Sequence, residues 1–133
     1  MFAAQLTLMT RSFRATALPW KQRSAWIGGS SACYFVLSRE HWMWTVQAIV
    51  AFLSDYVYAG VPHVTHGIDR WLSTFMTLRL VVLTRRYMYL GVIPFYCFYR
   101  SKRAVANRDY RAYVLYHTLW HVSGPVIAAS VLD

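Results

Sequence analysis

Four apolar runs separated by short clusters of charge are the feature that most constrains how this chain folds. They comprise residues 42–58, 66–86, 87–99 and 110–132. Charged residues make up 14% of the 133 residues, whereas an ordinary soluble domain has roughly 25%. Since a spanning helix needs about 20 apolar residues, the pattern predicts an all-α integral membrane helical bundle of three to four transmembrane helices.

The third run leaves the number of spanning helices open. Residues 87–99 form a short run that Gly91 and Pro94 interrupt. We expect it to span if flanking residues are included, and the alternative is a re-entrant segment. The chain also has six Trp, ten Tyr and seven Phe, which is more apolar surface than one core of this size can bury. Lipid or neighbouring subunits are therefore expected to cover part of it.

The basic residues lie at the ends of the apolar runs, where side chains contact lipid head groups. Arg and Lys number 14 against five acidic residues, so that the formal net charge is +9. We expect bound anionic phospholipid, with head-group contacts from Arg85, Arg86, Arg100, Lys102 and Arg103. Nucleic acid is not an expected partner, because the aromatic residues lie inside the apolar runs and not among the basic side chains.

The N-terminal segment, residues 1–39, contains no acidic residue. Its Arg and Lys side chains alternate with Ser, Thr, Ala, Leu and Phe. This composition resembles a mitochondrial targeting segment, and the alternative is a basic arm that lies on a membrane surface or on a partner. The sequence thus predicts a basic arm over residues 1–39 and a transmembrane helical domain over residues 40–133.

Two histidines in the last apolar run are candidate metal ligands. His117 and His121 are four residues apart, so both imidazoles point from one face of a helix. Two such imidazoles can bind one Zn²⁺ ion, and a third His would leave one coordination position for water. His63 or His66 can supply that third ligand, because the predicted topology places them toward the same leaflet.

Two aspartates are the candidate polar partners of these histidines. Asp55 and Asp69 are predicted at the same leaflet, where either can orient a ligand or act as a base. Haem held by one or two of the histidines is an alternative to zinc, and chlorophyll is another. The remaining alternative is a set of hydrogen bonds or ion pairs between helices without any metal.

The run YHTLWHVSG, together with an upstream Ser, His and Asp, resembles the CREST membrane hydrolases. This group includes the alkaline ceramidases and the progestin/adipoQ-type receptors. The resemblance implies that His117 and His121 are metal ligands, with His63 or His66 as the third. It also implies that Ser54 and one of the two aspartates are polar partners, and that a zinc-bound water hydrolyses an amide.

The leading hypothesis is an accessory structural subunit of a multi-subunit complex in the mitochondrial inner membrane, either of the respiratory chain or of ATP synthase. The targeting-like arm, the short aromatic-rich helices and the small number of polar groups favour it. The predicted location is multi-pass in that membrane, in contact with other subunits. A zinc-dependent membrane amide hydrolase is the alternative, and a haem- or chlorophyll-ligating subunit is the second alternative.

Overall fold

The computed structural model describes residues 18–132 as helices joined by short turns. Residues 1–17 and Asp133 lie outside the described residues, and with them the first part of the targeting-like segment, including Arg11 and Arg14. The five α-helices are α1 Ala25–Ser30, α2 Met43–Phe52, α3 Val64–Leu83, α4 Val92–Ala106 and α5 Tyr110–Val131. The 3₁₀ segments are Ser31–Leu37 and Arg85–Gly91, and a π-helical turn, Leu53–Val57, follows α2.

The all-α class is confirmed, but the prediction of an integral membrane bundle is wrong. No helix within residues 18–132 is both long enough and apolar enough to cross a membrane. The run at 42–58 gives only ten α-helical residues before the π-helical turn, and the run at 87–99 begins in a 3₁₀ segment. The helices α3 and α5 have 20 and 22 residues, but charged and polar side chains interrupt their apolar character.

Polar side chains fix where three of the helices begin. The Ser24 hydroxyl accepts from the Ile27 amide at the start of α1, and the Asp109 carboxylate accepts from the Ala112 amide at the start of α5. His63 caps α3 in the same way through its imidazole. Such caps satisfy amide groups that have no partner inside the helix, and they set the ends of the helices that carry the candidate site.

The turn before α3 depends on a glycine. Gly60 has a φ of +73°, which a residue with a side chain rarely adopts. A Cβ atom at this position would also collide with the backbone carbonyl oxygen of Trp20. The chain turns at Gly60 and Pro62, and α3 begins only at Val64.

The main core lies between the first 3₁₀ segment, α2, α3 and α5. Its buried side chains are Tyr34, Leu37, Trp44, Ala48, Ala51, Met76 and Ala128. A smaller cluster of Ile27, Ala104 and Tyr113 joins α1 to α4 and α5. Residues 25–37, which the sequence analysis places in the basic arm, therefore contribute buried side chains to the helical body.

One side of α3 presents an apolar stripe to the outside. The stripe consists of Val64, Ile68, Trp71, Phe75, Leu78 and Val82, each between 37% and 67% exposed. These residues follow one another at intervals of three or four, so they share one helix face. Exposed aromatic and aliphatic side chains continue along the start of α4. This surface agrees with the expectation that the chain has more apolar surface than its core can bury.

Removal of a core side chain of α3 tests the orientation of this helix. Met76 is fully buried, whereas Leu78 on the same helix is 61% exposed. We expect Met76→Ala to lower the free energy of unfolding by about 2–5 kcal/mol, because it leaves a cavity in the core. Leu78→Ala, the matched control, should change it by about 0.5 kcal/mol or less. Chemical denaturation measures both, and equal effects would contradict the orientation of α3.

Candidate metal centre

Three predicted site residues meet at one point between the π-helical turn and α5. The Oδ2 atom of Asp55 lies 3.1 Å from Nε2 of His117 and 3.4 Å from Nε2 of His121. The two imidazole rings are 4.6 Å apart between centroids. The cluster offers one ligand atom from each residue and can hold a metal ion.

The local backbone explains why these side chains converge. His117 and His121 are one helical turn apart on α5, as their spacing predicts. Asp55 lies in the π-helical turn at the end of α2. Such turns are short, rare insertions into α-helices that often occur at functional sites. The wider turn changes the direction of the side chains that follow α2, and Asp55 is the side chain that it presents to α5.

Each of the two histidines in the cluster also contacts a serine hydroxyl through its Nδ1 atom. The Nδ1 atom of His117 lies 3.0 Å from the hydroxyl oxygen of Ser101 on α4, and Nδ1 of His121 lies 3.1 Å from that of Ser30 on α1. Hydrogen bonds of this kind fix the ring orientation and the tautomer of metal-binding histidines. The polar chain thus runs from Ser30 through His121, Asp55 and His117 to Ser101, and it joins four parts of the fold.

The Ser30 hydroxyl contacts both the backbone and His121. Its oxygen lies 3.0 Å from the carbonyl oxygen of Ile27 and 3.1 Å from Nδ1 of His121, and its one proton serves one of these contacts at a time. When Ser30 donates to Ile27, Nδ1 of a neutral His121 is the donor to Ser30, and its Nε2 lone pair faces the Asp55 carboxylate. In that tautomer a cation between Nε2 and the carboxylate removes their repulsion.

The distances in the cluster fit a tetrahedral ion. Ligand atoms about 2.0 Å from a tetrahedral Zn²⁺ lie roughly 3.3 Å from one another. The two contacts from Asp55 to the histidines, at 3.1 and 3.4 Å, lie close to that value. All three ligand atoms lie within 4.8 Å of one another, so that one ion could contact all of them.

The electrostatics of the cluster favour the protonation states that a metal requires. Burial lowers the pKa of His117 more than the neighbouring Asp55 raises it. Burial would raise the pKa of Asp55, but its contacts with His117 and His121 outweigh this effect and hold that pKa below its usual range. At neutral pH the result is an ionised carboxylate beside a neutral imidazole, the forms in which both bind metal.

The second predicted aspartate lies in the buried surroundings of the cluster. Oδ1 of Asp69 on α3 accepts from Nε2 of Gln47 on α2 at 2.7 Å. Burial and then the charge of Asp55 raise the pKa of Asp69 to about 7. The Oε1 atom of Gln47 is buried without a hydrogen-bond partner among the described residues. Asp69 is thus a carboxyl group that changes its charge near neutral pH.

His63 and His66 lie elsewhere, in contacts of their own. Nδ1 of His66 forms a hydrogen bond of 2.8 Å with the hydroxyl group of Ser54, and Nε2 of His66 lies 2.8 Å from the carbonyl oxygen of Val61. His63 caps α3 and stacks on the ring of Tyr58. The structure does not bring either of them, or Ser54, into the Asp55–His117–His121 cluster.

The basic residues predicted at lipid head groups lie on the outside of α4 and the segment before it. Arg85, Arg86, Lys102 and Arg103 are exposed, and Arg100 is half-buried. The guanidinium of Arg100 also lies over the rings of Tyr96 and Tyr116. No contact among the described residues tests the predictions of phospholipid, haem or chlorophyll.

No sequence pattern indicates three of the residues around the cluster, Ser30, Ser101 and Gln47. A lone serine in a helix carries no spacing signal, and each of these residues is distant in sequence from the side chain that it contacts. Only the packing of α1 and α4 against α5 brings the two serines to the histidines.

Comparisons with protein-family models, with curated proteins and with solved structures found no match to this chain. The chemistry of the cluster therefore follows from its own geometry.

The pKa of Asp69 predicts a pH-dependent effect of Asp69→Asn. The unfolded chain ionises Asp69 near pH 4, whereas the native state holds the proton up to about pH 7. Wild-type stability therefore falls as the pH rises from about 4 to about 7, and the neutral amide of the variant removes this loss. We expect Asp69→Asn to raise the midpoint of thermal unfolding more at pH 8 than at pH 5, in the presence of a chelator.

The matched control for this measurement is Asp109→Asn, which keeps a capping side chain on an exposed residue. An effect of Asp69→Asn that has the same size at both pH values would contradict a proton held by Asp69.

Proposed function

We propose that this chain is a zinc-binding protein. The Zn²⁺ ion is bound by Oδ2 of Asp55 and by the Nε2 atoms of His117 and His121. The observation that carries the proposal is the convergence of these three ligand atoms. The Nδ1 atoms of the two imidazoles, which point away from Asp55, contact the hydroxyl groups of Ser101 and Ser30.

The donor set favours zinc over the other common metal ions. Two imidazole nitrogens and one carboxylate oxygen suit Zn²⁺, whereas Mg²⁺ and Ca²⁺ prefer oxygen ligands. The same donors bind Fe²⁺ where several coordination positions are open. The side chains of Asp55 and His117 are only 11% and 13% exposed, and that of His121 is 3% exposed. This burial leaves little room for the additional ligands of an octahedral iron.

The location of the ion supports a structural role. A zinc ion at the cluster connects the π-helical turn after α2 to the middle of α5, and through the two serines it also stabilises α1 and α4. Metal binding of this kind contributes directly to the free energy of folding. The proposed role is therefore to hold together helices that have few other long-range polar contacts.

A zinc hydrolase is the second candidate function. The feature that favours it is the number of protein ligands, because three ligands leave a fourth position for water, as in catalytic zinc sites. In this candidate Asp55 takes the place that the CREST resemblance gives to a third histidine. The resemblance itself stays a prediction, and the burial of the ligands favours the structural role over the catalytic one.

The hypothesis of an accessory subunit in a mitochondrial inner-membrane complex also stays a prediction. The hypothesis has to omit the spanning helices, because no helix in the described part of the chain is long and apolar enough to cross a membrane. What remains of the hypothesis is the attachment of this chain to a larger assembly through its exposed apolar surface.

Metal analysis of the purified full chain tests the proposed function. We expect about one zinc ion per chain, lost in His117→Ala, His121→Ala and Asp55→Ala because each removes one ligand. Zinc at a hundred times its dissociation constant should stabilise the wild type by about 2.7 kcal/mol. Inductively coupled plasma mass spectrometry measures zinc and iron together, and thermal unfolding with and without zinc measures the stabilisation.

The matched control is His66→Ala, which removes an imidazole outside the cluster. It should keep its zinc. Loss of zinc in this variant would show that His66 is a ligand, and iron in place of zinc, or no metal in the wild type, would contradict the proposal.

The two serines predict a second, smaller effect. Ser30→Ala and Ser101→Ala each remove the hydrogen-bond partner of one histidine, so the ring loses its preferred orientation and tautomer. We expect each variant to weaken zinc binding by about 10- to 100-fold. Competition with a chromogenic chelator measures the affinity. Ser73→Ala, which removes a hydroxyl that bonds only to the backbone of α3, is the control, and equal affinities in all three variants would argue against this role.

A further inference from the structure

The helix α4 has an outward surface that the proposed zinc site does not use. Its inward face consists of Pro94, Cys97, Ser101 and Ala104, which are buried. Through Ser101 this inward face contacts His117 of the metal centre. The opposite face points to the outside, where polar side chains are expected, but over the first half of the helix it is apolar.

Large apolar side chains are exposed on this outward surface and on the 3₁₀ segment before it. Tyr89 and Val92 are each 68% exposed, and Ile93, Tyr96 and Tyr99 are between 50% and 55% exposed. The α4 residues Val92, Tyr96 and Tyr99 are three or four positions apart, so they lie on one helix face. A continuous exposed apolar surface of this kind marks a site that contacts another protein or a membrane.

Two arginines are held beside this surface by its own tyrosines. Nη1 of Arg100 donates to the hydroxyl oxygen of Tyr96 at 2.6 Å, and Nη1 of Arg103 donates to that of Tyr99 at 3.4 Å. Each arginine lies one helical turn beyond its tyrosine, on the same side of α4. The guanidinium of Arg100 also lies 4.6 Å from the ring centre of Tyr116 on α5. Positive charge is therefore fixed at the edge of the apolar surface.

The charge at this edge is not neutralised by the described residues. Within residues 18–132, neither Arg100 nor Arg103 forms an ion pair, because the carboxylates that do so are Glu40, with Arg79, and Asp55, with the two histidines. The nearby carboxylate of Asp109 caps α5. The surface thus combines apolar rings with free positive charge, and it complements a partner that is both apolar and anionic.

We propose that this surface is a docking surface for an anionic phospholipid bilayer, with α4 lying along the interface. Val92, Ile93 and the rings of Tyr96 and Tyr99 enter the boundary between head groups and acyl chains, and the arginines contact lipid phosphates. A helix bound in this way buries its apolar side roughly 5–10 Å deep. Tyrosine is enriched at this depth, because its ring is apolar and its hydroxyl is polar.

Charge argues against a second copy of this chain as the occupant. A second copy has the same guanidinium groups and the same formal charge of +9, so the approach of one copy to another is unfavourable. A bilayer that contains anionic lipid satisfies both parts of the surface. Its acyl region accepts the exposed rings, and its phosphates attract the arginines.

Flotation of the purified full chain with lipid vesicles tests the proposal. Vesicles that contain phosphatidylcholine and phosphatidylglycerol in equal amounts should bind the chain about tenfold or more tightly than vesicles of phosphatidylcholine alone. The reason is that each Arg close to an anionic surface strengthens binding about fivefold.

Replacement of two exposed apolar residues tests the contact with the acyl region. We expect Val92→Gln/Ile93→Gln to weaken binding to the anionic vesicles by about tenfold or more, because it removes apolar surface and leaves the charge unchanged. The control is Leu115→Gln/Leu119→Gln, which replaces two apolar residues of α5 that are 55% and 41% exposed. It should bind as the wild type does. Circular dichroism of all variants checks that each is folded.

Removal of the two arginines tests the contact with phosphate. Arg100→Gln/Arg103→Gln should weaken binding to the anionic vesicles by about tenfold or more and should leave binding to phosphatidylcholine unchanged. The control is Lys21→Gln/Arg39→Gln, which removes the same charge from two exposed residues outside α4 and should keep the affinity.

Three outcomes would overturn the proposal. The first is that the wild type does not bind the anionic vesicles, which would favour an acidic protein as the partner of this surface. The second is an equal loss of affinity in a variant and its matched control, which would show an effect of overall hydrophobicity or net charge. The third is self-association in vesicle-free buffer that Val92→Gln/Ile93→Gln abolishes, which would assign the surface to a second copy of the chain.

Discussion

The buried carboxylate of Asp55 is the constraint on which the polar interior of this protein depends. A buried charge is unfavourable unless it is paired and hydrogen-bonded. Here the π-helical turn brings Asp55 against His117 and His121 on α5, and Ser101 and Ser30 hold the two rings from behind. The positions of α1, α2, α4 and α5 relative to one another are therefore tied to one charged group.

Two kinds of cation can satisfy this carboxylate, a proton on an imidazole or a metal ion. Burial lowers the pKa of His117, which makes the imidazolium unfavourable at neutral pH. The Ser30 hydroxyl lies within hydrogen-bonding distance of both the Ile27 carbonyl oxygen and Nδ1 of His121, so its single proton serves one of the two contacts at a time. The Nε2–H group of a neutral His117 can donate to this carboxylate, and a divalent ion between the three ligand atoms can satisfy it as well.

The sequence indicated the three members of this cluster, but it also assigned His63 and His66 to it, which lie elsewhere. The spacing of His117 and His121 places both side chains on one helix face, however that helix packs. An Asp in an apolar run indicates that it has a polar partner. The prediction of spanning helices was wrong because hydropathy counts apolar residues but does not show which face of a helix they occupy. In the structure the apolar residues of α3 form one exposed stripe, while charged residues interrupt the rest of that helix. The sequence could not predict the roles of Ser30 and Ser101, since only tertiary packing brings these residues to α5.

Tyr34 lies between the Asp55–His117–His121 cluster and an apolar cavity that Tyr34 and Trp44 help to line. Its ring stacks on Trp44, which lines the cavity, and meets the ring of His121 edge-on at 5.5 Å between centroids. The side chain is 6% exposed, so it excludes water from the imidazole on the side of the cavity. Tyr34 therefore gives the Asp55–His117–His121 cluster an apolar wall on this side. A wall of this kind keeps a buried carboxylate away from bulk water, so the carboxylate depends on the partners that the helices provide.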